Sequence, residues 1–106
     1  MKDEAPLGAW EEQVLLAVAR TGEAAYGMAV RRELEAATGR EVSIGAVYAT
    51  LDRAEAKRWV ASARRDVDGA SRRVFALTPL GARALADTYA LRERLWRGVD
   101  LRPLLA

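Results

Sequence analysis

Apolar residues recur at helical spacing through the first half of the chain, and at two-residue spacing through a stretch after residue 58. Leu7, Trp10, Val14 and Val18 share one face of a helix predicted over Leu7 to Arg20, with Glu11, Glu12 and Gln13 on the opposite side. Thr21-Gly22-Glu23 ends it, glycine being the usual residue where a chain leaves a helix. Tyr26, Val30, Leu34 and Ala37 line a second helix from Tyr26 to Thr38, and Gly39 stops it. Ser43 is placed to N-cap a third helix, whose buried stripe is Ile44, Val47, Tyr48 and Leu51. Its other side is small and polar: Gly45, Ala46, Ala49, Thr50, Arg53 and Lys57.

Trp59 to Val67 then reads as a strand, Asp68-Gly69-Ala70 as a turn and Ser71 to Leu77 as the returning strand, because Asp-Gly between strand-like runs is a strong hairpin signal. Along the second strand Val74 and Ala76 are expected on one face, with Arg73, Phe75 and Leu77 on the other. Thr78-Pro79 supplies an N-cap and a first-turn proline for a last helix running to Gly98. At about 100° per residue, Leu80, Ala84, Leu91 and Leu95 form one apolar arc of that helix, and Leu85, Tyr89 and Trp96 a second. Together they exceed the stripe a helix needs to dock on its own core. One face is therefore assigned to the same chain and the other to a second copy, with Leu85, Tyr89, Arg92 and Trp96 as the expected dimer interface.

Helix, helix, helix, hairpin, helix is a mainly α arrangement with a small β-hairpin: a winged helix-turn-helix followed by a dimerisation helix. Residues 7–77 form the winged unit and 78–98 the C-terminal helix of the same compact body, with 1–6 and 99–106 as tails. With 106 residues there is room for one core.

The 106 residues include neither cysteine nor histidine, which removes thiol and imidazole nucleophiles and their metal sites. Glu11-Glu12 lie on a solvated helix face and Asp66 and Asp68 flank a turn, so no enzyme, metal or cofactor is expected. The apolar runs are too short to span a membrane, the N-terminus lacks an export signal, and the expected location is the cytoplasm.

Charge is unevenly placed. Residues 1–41 carry five basic and eight acidic groups, whereas 42–106 hold 12 basic and seven acidic. Fifteen of the 17 basic residues are arginine, whose planar fork suits phosphates and base edges. Ser43, Ala46, Ala49, Thr50 and Arg53 are the candidate groove-facing surface. Ala49 and Thr50 are placed to meet a thymine methyl, and Arg53 a phosphate or guanine. Arg53 also has Asp52 and Glu55 as candidate ion-pair partners. Arg64, Arg65, Arg72 and Arg73 flank the hairpin tip as candidate phosphate contacts. The spacing of Tyr48 places its ring in the core. A winged helix also serves as a protein-interaction module without DNA binding, and the arginine-edged hairpin favours double-stranded DNA over that alternative.

Several stretches resemble the PadR family of bacterial transcriptional regulators in its short form, with a single C-terminal helix. They are Leu15-Leu16, Tyr26-Gly27, Ser43-Ile44-Gly45-Ala46-Val47-Tyr48 leading to Leu51-Asp52-Arg53, and Phe75-Ala76-Leu77-Thr78-Pro79-Leu80-Gly81. The likeness covers about residues 7–97. The chain departs from the family pattern with Ala54 where leucine is common and Arg58 where glycine is common. The resemblance implies a homodimeric repressor that binds a palindromic operator and is released by a small molecule or another signal. It supports a phosphate contact from the Tyr48 hydroxyl. It also implies a flat aromatic effector stacking on Trp96, with Trp10 nearby if the first helix packs on the last; the alternative for Trp96 is plain interface packing.

Overall fold

The structure is a computed structural model that describes residues 6–105; residues 1–5 and 106, parts of the expected tails, lie outside it. Four helices and a hairpin follow one another: α1 (Ala9–Thr21), a 3-10 turn (Gly22–Ala24), α2 (Gly27–Thr38), α3 (Ile44–Ala56), β1 (Val60–Val67), β2 (Ala70–Leu77), α4 (Pro79–Trp96) and a second 3-10 turn (Arg102–Leu104). The expected order holds, with ends shifted by a residue or two. Leu7 precedes α1, where its backbone N–H donates to Thr88 Oγ1 of α4 at 3.1 Å. Tyr26 caps α2 in extended geometry.

The core lies where α1, α2, α3 and β2 converge. Val14, Leu15 and Val18 from α1 meet Val30 and Leu34 from α2, Val47 and Leu51 from α3, and Val60 and Phe75 from the hairpin. Ala37, expected on the buried face of α2, is exposed, since that helix runs past the core at its last turn.

The strands pair antiparallel from Val60↔Leu77 to Val67↔Ala70. Only Asp68 and Gly69 make the turn, both left-handed at φ 55° and 79°. Positive φ at both central residues is the hairpin geometry that matches strand twist and favours Asp-Gly. The predicted alternation along β2 fails at one pair: Val74 and Phe75 are both buried. Tyr26 bridges to Val74, and the Phe75 N–H donates to Ala25 O at 2.9 Å. This extended segment before α2 pairs along the free edge of β2 and sets the buried Tyr26 beside Val74, while Ala76 stays exposed.

Arg58 joins α3 to β1 and adopts a left-handed φ of 65°. A side chain in that region costs about 1–2 kcal/mol, which glycine avoids. Arg58→Gly is expected to raise stability by about 1 kcal/mol, part of the relief being offset by the freer unfolded chain. Urea denaturation checks this, with an upward shift in midpoint as the expected result.

Only the first half of α4 rests on the core, through Gly81, Ala84, Leu85 and Thr88. From Arg92 to Leu105 every residue is exposed. The radius of gyration is 15.7 Å, against about 13 Å for a compact domain of this length.

Candidate nucleic-acid interface

Ser43 sits at the start of α3 and its hydroxyl accepts the Ala46 N–H at 3.2 Å. The turn before it is fixed from α2, because Glu35 accepts the Val42 N–H at 2.9 Å and the Arg31 guanidinium. These bonds hold the Glu35 carboxyl below its ordinary range; the backbone bond from Val42 is the main cause. The N-terminal end of α3 is thus presented by α2 in a set direction, with Ser43, Gly45, Ala46, Ala49 and Arg53 exposed along one side.

Thr50 does not join that surface. It is 2% exposed, and its hydroxyl accepts the Trp10 indole N–H at 2.7 Å and Arg53 Nη2 at 3.1 Å. A bulky ring from α1 covers the position, so Thr50 anchors α3 to α1 and orients Arg53. Arg53 therefore bonds a hydroxyl, whereas Asp52 and Glu55 serve a different arginine.

That arginine is Arg73. Its guanidinium reaches from β2 to Asp52 at 3.0 Å, to Glu55 and to the Ser62 hydroxyl at 3.2 Å, and its carbon lies 4.6 Å from the centre of the Phe75 ring. Glu55 also accepts the Ser62 hydroxyl at 2.7 Å, and the bonds from Ser62 and Arg73 hold its carboxyl below the usual range. Expected to meet a phosphate, Arg73 instead clamps the hairpin to α3. Asp52 and Glu55 were expected beside Arg53; lying three apart on one helix face, they form a joint acceptor for an arginine of the hairpin.

Arg64 and Arg65 are exposed on β1. Arg72 lies over the Tyr26 ring at 4.3 Å, while Arg32 approaches the hydroxyl of that ring at 3.3 Å. Tyr48 is half-buried, with its ring against Gly27. Tyr26, Tyr48, Arg64, Ser71, Arg72 and Arg73 enclose a recess of about 250 Å³ between α3 and the hairpin. Two tyrosines and three arginines make it polar and cationic, and Tyr48, next to the exposed Ala49, is the α3 residue that lines it.

The expected dimer residues divide. Leu85 packs against its own core, and Arg92 pairs with Glu12 of α1, so both are engaged within the chain. Tyr89 and Trp96 are more than half exposed. The two tryptophans expected near an effector line different recesses. Trp10 borders one of about 410 Å³ with Leu34, Val42 and Ala46, its indole turned toward Thr50. Trp96 borders one of about 240 Å³ with Leu95, Val99 and Leu101. Although α1 and the residues before it do pack on α4, through Glu12 and Leu7, Trp10 points to α3 instead. Among the described residues no helix is long and apolar enough to cross a membrane, and no group of His, Cys, Asp or Glu is arranged to hold a metal.

Comparison with known proteins agrees with this geometry. Transcriptional regulator Rv3488 of Mycobacterium tuberculosis is 44% identical over 61 residues, which span 58% of this chain and 57% of that protein. The matched part is thus little over half the length of that relative. The structure of RosR from H. salinarum superposes with a TM-score of 0.70 at 30% identity, over 95% of this chain and 87% of that one. A PadR-like transcriptional regulator from Bacillus cereus gives a TM-score of 0.76 over 93% and 94% of the two chains, and at 20% identity it supports the fold alone. Residues 15–87 match the transcriptional regulator PadR-like family, and with the winged helix described above they show that the chain belongs to this family of regulators, which are not enzymes.

Proposed function

We propose that the chain is a DNA-binding repressor that acts as a homodimer on a palindromic operator. The observation that carries this reading is the pairing of a bulk-free α3 surface with an arginine-lined recess beside it. Gly45, Ala46 and Ala49 leave the α3 backbone free to lie close to base edges in a major groove about 12 Å wide. The amides at its start face a phosphate with the favourable end of the helix dipole. The recess takes a neighbouring phosphate, with Arg64, Arg72 and the Tyr48 hydroxyl as donors and Arg65 further along the strand. Arg53, oriented by Thr50, completes the surface.

Two copies join through the distal half of α4, where Tyr89, Leu95 and Trp96 are exposed. Burying one such side chain is worth about 1.5–3 kcal/mol, so a symmetric pair of these faces is ample for association. Repression is the mode that the family resemblance implies, with release by a flat aromatic molecule stacked on Trp96. Trp10 has no part in that step. The setting of such a regulator is the cytoplasm.

Selection from a random duplex library with the purified protein tests the reading. Two inverted half-sites are expected, centred about 10–10.5 bp apart or a multiple of that spacing. A library that stays random after selection overturns DNA recognition and leaves the fold as a protein-binding module.

A further inference from the structure

Of the large apolar side chains exposed among the described residues, all except Leu16 lie between Leu80 and Leu105. Four of them, Val99, Leu101, Leu104 and Leu105, come after α4 has ended, in a segment expected to be no more than a tail. That segment has a defined shape. Gly98 turns left-handed at φ 81°, and the Val99 N–H donates back to Trp96 O at 2.9 Å, reversing the chain. The Asp100 carboxylate then accepts the Arg102 N–H at 3.0 Å and its guanidinium at 2.9 and 2.8 Å. Leu104 closes the 3-10 turn by donating to Leu101 O at 2.9 Å.

The hook carries both halves of a joint. Val99 and Leu101, with Leu95 and Trp96, line the recess of about 240 Å³. Leu104 and Leu105 project beyond it, 82% and 75% exposed, so they do not fill the recess of their own chain. A hollow and a projection on the same chain let two copies related by a two-fold axis each fill the other's hollow, so a closed pair uses both at once. The recess is also continuous with the Tyr89–Trp96 face assigned to α4 pairing. A tail already held in one shape loses less conformational freedom on docking than a disordered one.

We infer that the residues after α4 form an exchanged arm: Leu104 and Leu105 of one copy seat in the Leu95–Trp96–Val99–Leu101 recess of a second copy of this chain. The inference rests on the dimer reading above and adds the arm as a required part of it.

Two measurements test it. The Leu104→Asp/Leu105→Asp variant alters side chains that support none of the folded core, so its circular dichroism is expected to match the parent chain. Its dimer dissociation constant, from sedimentation equilibrium, is expected to rise on the order of 100-fold, as when central apolar anchors are removed from an interface. Separately, Val99→Cys and Leu104→Cys chains with tags of different mass are mixed and mildly oxidised. The natural sequence contains no cysteine, so there is no background. A disulfide-linked mixed dimer is expected on non-reducing gels. If the parent chain is a dimer, either an unchanged dissociation constant or a missing mixed cross-link overturns the arm and leaves α4 pairing intact. A monomeric parent at micromolar concentration overturns both.

Discussion

Operator affinity is expected to collapse between 50 and 200 mM salt, by about 10³–10⁵ for a dimer that neutralises six to ten phosphates. The cations responsible are not interchangeable. Arg64 and Arg65 are exposed on β1, whereas Arg73 is bound to Asp52, Glu55 and Ser62. An Arg64→Ala/Arg65→Ala chain is expected to bind all sequences more weakly, with a slope in log salt shallower by about 0.9 for each phosphate it no longer neutralises. Arg73→Ala is expected to keep most of that slope, because its charge is already answered within the chain. Its weaker binding comes from a hairpin no longer held against α3. Fluorescence anisotropy titrations at four or five salt concentrations separate the two outcomes. Equal slopes for parent and Arg64→Ala/Arg65→Ala would show that the hairpin edge does not meet the backbone of the duplex.

Gly81→Ala is expected to be the most damaging single methyl addition in the chain. A Cβ at this position runs into the Trp59 carbonyl oxygen and lies 2.9 Å from its carbonyl carbon. The obstacle is backbone, so no rotamer change relieves it. That same carbonyl accepts the Thr78 N–H at 3.0 Å and the Thr78 hydroxyl at 3.1 Å, which fixes the start of α4 on the entry to the hairpin. Overpacking against rigid backbone costs about 3 kcal/mol or more, which for about 100 residues lowers Tm by more than about 10 °C. The control is Gly45→Ala, where the nearest atom is the Ser43 hydroxyl at 3.6 Å and a helical alanine is favoured. Thermal denaturation of the two variants should move in opposite directions. A Gly81→Ala chain as stable as the parent would mean that α4 can leave the hairpin without penalty.

What the sequence made legible follows from how far apart the interacting residues are. Helix faces (apart from the last turn of α2), the Ser43 and Thr78 caps and the Asp68-Gly69 turn depend on neighbours within a few positions, and they appear where periodicity and turn chemistry place them. Thr50 and Arg73 depend on partners far along the chain. A threonine on the polar side of α3 looks solvent-facing until the ring of Trp10, 40 positions earlier, is known to cover it. Arg73 looks like one of four equivalent tip arginines until the register places it over Asp52 and Glu55. Arg92 and Leu85 are similar cases, where an excess of apolar arc marks a surplus surface without saying which residues the core has already claimed. Val74 and Phe75 break the strand alternation where a third segment, around Tyr26, pairs with the edge of β2 and places Tyr26 beside Val74.

With α3 entering a groove as proposed, the covered hydroxyl of Thr50 limits the vocabulary with which the helix addresses a duplex. Without it, the outward side offers methyl groups, a bare glycine, one forked cation and the Ser43 hydroxyl, which already accepts the Ala46 N–H, and so few atoms that hydrogen-bond to base edges. Such a helix distinguishes thymine methyls and guanine at a small number of steps. The remaining discrimination falls to the mechanics of the double helix itself, to how readily a given run of base pairs narrows or bends so that both arginine-edged hairpins reach its sugar–phosphate rails together. Operators of this protein should therefore be united more by stiffness and groove width than by a strict string of letters.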